Sequence, residues 1–73
     1  MTLNDVSYDV LSVLQSKLDA VAIYEQYIED AREAGNAQCE QLFEEIRQQD
    51  EQQAQRLTET LEQMVRNGTF HHI

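Results

Sequence analysis

Glu25, Asp50 and Gln53 put oxygen donors where a helical core would carry apolar side chains. In steps of three and four, one stripe runs Leu11, Leu14, Leu18, Val21, Glu25, Ile28, so a single carboxylate interrupts an apolar face. A second runs Cys39, Leu42, Ile46, Asp50, Gln53, Leu57, Leu61, Met64, with two polar residues at mid-length. Two carboxylates and an amide at one height of a core have three readings. They form a hydrogen-bonded layer that fixes register and pairing. Alternatively they hold a divalent ion. Hard, oxygen-seeking cations such as Mg²⁺, Mn²⁺ or Ca²⁺ fit such donors better than zinc. The third reading is that Glu25 lies at the exposed edge of its stripe.

Other chemistry finds little support. Cys39 falls in the first turn of the second stripe, where a helix N-terminus favours the thiolate, but Glu40 beside it acts the other way. A free cysteine on an apolar stripe is commonly a small buried hydrophobe. His71 and His72 are the only histidines, adjacent and terminal, and adjacent residues do not share a helix face. Ser7, Ser12 and Ser16 lie far along the chain from either histidine, so a nucleophile–base pair is not indicated. With two glycines, Gly35 and Gly68, there is no phosphate-cradling loop.

The elements that must carry these residues are two long helices. Proline is absent and strong helix formers dominate. Asn4 or Asp5 is suited to cap the first helix, Gly35 to stop it in a left-handed conformation, and Asn36 to cap the second. Gly68 follows Arg66-Asn67 as the second stop. The expected layout is a single helical-hairpin domain over 1–73: helix one about 5–34, turn 35–36, helix two about 37–67 and a short tail, 68–73, that frays or docks back through Phe70 and Ile73. So short a link makes the helices antiparallel neighbours. Counted from that turn, Glu25 and Asp50 differ in height by about 6 Å and lean toward each other, because side chains tilt toward their own helix N-terminus.

Val6, Val10, Val13, Tyr24 and Ile28 on helix one, with Phe43 and Val65 on helix two, widen the apolar surface beyond what one neighbouring helix covers. A homodimer forming a four-helix bundle is the simplest closure, and a different protein partner is the alternative. A continuous two-stranded coiled coil fits less well, since a seam through positions 3, 10, 17, 24 and 31 contains Lys17 and Tyr24, and Gly35 cuts it in half.

Fourteen acids face five bases, for a formal net charge of −9. Phosphate backbones and anionic lipid surfaces are repelled by such a chain, so neither nucleic acid nor membrane is an expected partner. No apolar run reaches the roughly 18 residues of a membrane span. The opening residues Met1-Thr2-Leu3-Asn4-Asp5 have no basic region or signal-peptide core, and a cytoplasmic location is the default expectation.

Tyr24 to Ala31, then Ala34-Gly35-Asn36, then Leu42-Phe43-Glu44-Glu45-Ile46 resemble the helical hairpin of the ferritin-like superfamily, in particular small bacterial single-hairpin proteins. The resemblance spans about Tyr8 to Leu57. It implies an all-α fold, a long antiparallel helical hairpin dimerising into a ferritin-like four-helix bundle. In di-iron members each helix pair supplies a Glu and a Glu-x-x-His. By that resemblance Glu25 takes the place of the first Glu, Asp50 of the second acid, and Gln53 of the histidine. Glutamine is a poorer ligand than imidazole for iron or manganese. The expectation is therefore a small acidic, non-enzymatic interaction or structural module with a degraded metal centre. The alternatives are a protein binding Fe, Mn, Mg or Ca through Glu25, Asp50 and Gln53, or a subunit that pairs with a different protein.

Overall fold

A computed structural model describes residues 3–68. The tail positions Phe70, His71, His72 and Ile73 lie outside the described residues. Two α-helices, α1 (Leu3–Glu33) and α2 (Ala37–Arg66), pack against each other, and no strand occurs among the described residues. The result is a rod of 51 × 16 × 16 Å. The antiparallel hairpin expected from the turn is therefore the fold.

The turn forms as its residues dictate. Gly35 sits at φ +70°, in the left-handed region. Its N–H donates to the Arg32 carbonyl at 3.1 Å, and the Asn36 N–H donates to the Ala31 carbonyl at 2.9 Å. That pair of bonds is a Schellman ending, which satisfies carbonyls α1 would otherwise leave open. Asn36 then caps α2: its side-chain oxygen accepts from the Cys39 N–H at 3.0 Å. At the other end Gly68 repeats the left-handed stop at φ +71°. The start of α1 differs from expectation. The helix already contains Leu3 and Asn4, so neither Asn4 nor Asp5 stands before its first turn.

The helices meet along a heptad seam. On α1 the positions Ser7, Val10, Leu14, Lys17, Val21, Tyr24, Ile28 and Ala31 are all buried or half-buried. On α2 the same holds for Glu40, Phe43, Arg47, Asp50, Ala54, Leu57, Leu61 and Met64. Both series step alternately by three and four, the spacing of an antiparallel coiled coil. The seam holding Lys17 and Tyr24 is thus the packed one. Gly35 does not cut it but folds it back on itself.

Of the stripe Leu11, Leu14, Leu18, Val21, Glu25, Ile28, only Leu14, Val21 and Ile28 face α2. Leu11 and Leu18 remain 45% and 49% exposed. The stripe straddles the seam and its edge.

Candidate functional site

At mid-length the seam is polar. Lys17 Nζ donates to Asp50 Oδ1 at 3.2 Å, and the Asp50 side chain is only 14% exposed against 31% for Lys17. One turn away, Arg47 places its Nε 3.5 Å from Glu51 Oε1. That Nε is buried and makes no hydrogen bond, so the contact is coulombic only. Lys17 enters the seam because its methylene stem can lie along apolar neighbours while the ammonium reaches a carboxylate.

Asp50 is therefore a core carboxylate, as its place in the stripe indicated, but its partner is a cation. Glu25 is exposed and stands eight residues along α1 from Lys17, about 12 Å. Gln53 is exposed and lines a surface groove. Within one hairpin the three residues are not gathered. No group of three or more His, Cys, Asp or Glu side chains among the described residues is placed to hold a metal ion. Sequence reasoning missed Lys17 and Arg47. The available signal was the heptad spacing that Lys17 shares with Val10, Tyr24 and Ala31.

A second charged cluster sits at the turn. Arg32 Nη1 donates to Glu29 at 2.8 Å, its Nε donates to Glu40 at 3.0 Å, and its Nη2 lies 4.0 Å from Glu44. The hydrogen bond to Glu40 raises the Arg32 pKa most. The charges of Glu40 and Glu29 add to it, slight desolvation opposes it, and Glu44 contributes least. A raised arginine pKa keeps the cation charged below and through its ordinary range. The cluster is thus a clamp between the helix ends rather than a proton-transfer group. Close by, Tyr24, Tyr27 and Phe43 form an aromatic ladder, with Tyr24 edge-on to Tyr27 at 5.8 Å and Tyr27 tilted against Phe43 at 5.9 Å.

The surface beside the seam differs from one flank to the other. On one flank lie Val6, Val13, Ala20, Tyr27 and Ala34 of the first half of the hairpin. The second half adds Cys39, Ile46, Gln53 and Thr60. None of these residues is charged. The opposite flank carries Leu11, Leu18, Glu25 and Arg32, then Glu44, Glu51, Thr58 and Val65. It is apolar toward the open end and charged toward the turn. A shallow groove of about 370 Å³ opens on that opposite flank among Thr58, Leu61, Glu62, Val65 and Arg66, and two of about 350 Å³ open on the uncharged one. One is lined by Val13, Lys17, Gln53, Arg56, Leu57 and Thr60. The other lies among Tyr27, Asp30, Ala31, Ala34, Asn36, Cys39 and Phe43. No helix among the described residues is long and apolar enough to cross a membrane.

No protein-family model, curated protein or solved structure matches this chain.

Proposed function

We propose that this chain is a non-enzymatic structural or interaction module that works as a homodimer, two hairpins closing a four-helix bundle of the ferritin-like kind. The observation that carries the reading is the imbalance between what the hairpin buries and what it leaves in water. Among the described residues Ile28, Ala31 and Ala54 are the only buried apolar side chains. Nine large ones, including Leu11, Val13, Leu18, Ile23 and Leu42, are exposed. A compact chain of 8.5 kDa exposes about 4,700 Å². This one exposes 5563 Å², partly because it is a rod. Isolated helices gain most of their stability from packing an apolar face, and two helices supply only one such contact. A second hairpin adds the missing layer.

Light scattering and sedimentation over a dilution series test this. The expected mass is twice that of the chain, falling toward that of one chain on dilution. A well-folded monomer at every concentration would overturn the proposal. Metal content of untagged protein, measured before and after Glu25→Ala, addresses the same reading from the chemical side. A stoichiometric ion present in the parent and lost in the variant would replace the structural role with a metal-binding one.

A further inference from the structure

We infer that the second copy docks on the uncharged flank, the face of Val13, Ala20, Tyr27, Ile46, Gln53 and Thr60, and not on the Leu11–Leu18–Glu25 flank. This rests on the homodimer proposed above and specifies its contact face. In a two-stranded coiled coil, positions beside the seam are usually charged, because they stay in water. Helices that enter a four-helix bundle carry a third apolar position beside the seam pair. On one flank α1 carries that third apolar position from Val6 to Tyr27, continued by Ala34 at the turn, and α2 carries it at Cys39 and Ile46 and then holds the uncharged Gln53 and Thr60. The other flank fails it, because Glu25, Arg32, Glu44 and Glu51 occupy its turn half and Arg32 already spans to Glu44.

Charge and area identify the occupant as another copy of the same chain. Each copy carries a formal charge of −9, so two copies repel wherever acids face each other. The uncharged flank is the one long face where that cost is smallest. Arg56 borders the groove that Val13, Gln53 and Thr60 line. Lys17, Arg32, Arg47 and Arg66 each have an acidic partner, while Arg56 has none among the described residues. One unneutralised cation at the rim therefore faces an acidic copy. A side of the rod 51 Å long and 16 Å wide presents on the order of 800 Å², the share each partner contributes to a standard stable interface. Tyr27, 44% exposed, lines the groove nearer the turn, and a two-fold axis would present the same ring and groove from each copy.

Docking on this flank draws Gln53 into the bundle and leaves Glu25 outside it. Asp50 stays in its own hairpin with Lys17.

The test uses matched exposed positions. Val13 and Leu11 are 47% and 45% exposed on opposite flanks, and Tyr27 and Leu18 form a second such pair at 44% and 49%. Each is changed to Glu in the full chain, and circular dichroism confirms that the hairpin is retained. Val13→Glu and Tyr27→Glu are expected to weaken the dimer about 100-fold, because each copy would bury a carboxylate that the single hairpin leaves in water. Leu11→Glu and Leu18→Glu are expected to leave its mass unchanged. Dissociation by the Leu11 and Leu18 variants alone, or by all four, would overturn the face assignment while leaving the homodimer standing. A monomeric parent would overturn both. Cys39 supplies a readout without mutation: its thiol should react more slowly with a maleimide in the dimer than after dilution, and equal rates would count against the face.

Discussion

The Lys17–Asp50 pair is the residue on which the polar layer turns. Two charges sharing a part-buried seam are costly to separate and cheap to replace together. Lys17→Met should destabilise the hairpin by about 2 kcal/mol, since it leaves Asp50 without its cation in a site only 14% exposed. The double change Lys17→Met with Asp50→Leu should recover most or all of that loss. Urea melts of the parent, both single variants and the double variant give the coupling directly, and additive effects would mean that the pair contributes nothing beyond its parts. Asp50 was legible in the sequence as a carboxylate out of place on an apolar stripe. Its partner was not, for a physical reason. A stripe drawn in steps of three and four gives the faces of a helix but not which face meets its neighbour. With Leu11 and Leu18 taken as core, Glu25 falls on the face that meets Asp50. The packed seam instead runs through Lys17, whose long stem tolerates a place that its charge alone would forbid.

At the scale of the elements, the turn is where sequence and structure agree most closely, because local chemistry decides it. Gly35 needs the left-handed region and Asn36 has a donor to accept from, and both facts can be read from four consecutive residues. A Cβ at Gly35 would touch nothing within 4 Å, so Gly35→Ala tests backbone strain alone and should cost about 1 kcal/mol. Asn36→Ala should cost a similar amount, about 1 kcal/mol, by freeing the Cys39 N–H. Thermal melts at matched concentration check both, and an unchanged midpoint in either would mean that packing alone sets the turn. The start of α1 was less legible. Asn and Asp suit both a cap and a first turn, and at Asn4 the chain continues as helix. Arg32 binds the two helix ends through Glu29, Glu40 and Glu44, but it is exposed, so its loss should matter little and less still in high salt.

For the whole molecule the deciding quantity is net charge. Fourteen acids and five bases are spread over a thin rod, so few charges are far from solvent and the repulsion between two copies depends on how far salt screens it. If association were held by ion pairs between copies, added salt would weaken it. An uncharged face joining two chains of −9 requires the opposite. Screening lowers the repulsion between the outer surfaces while apolar burial is untouched or strengthened. The screening length falls from about 30 Å at 0.01 M to about 3 Å at 1 M salt, from well beyond the 16 Å width of the rod to well within it. The dimer is therefore expected to tighten at least about tenfold across that range. Sedimentation equilibrium at a series of sodium chloride concentrations measures it. A dissociation constant that rises with salt would show that charged contacts hold the copies together. The charged half of the Leu11–Leu18–Glu25 flank would then be the surface to examine, since Glu25, Arg32, Glu44 and Glu51 lie there.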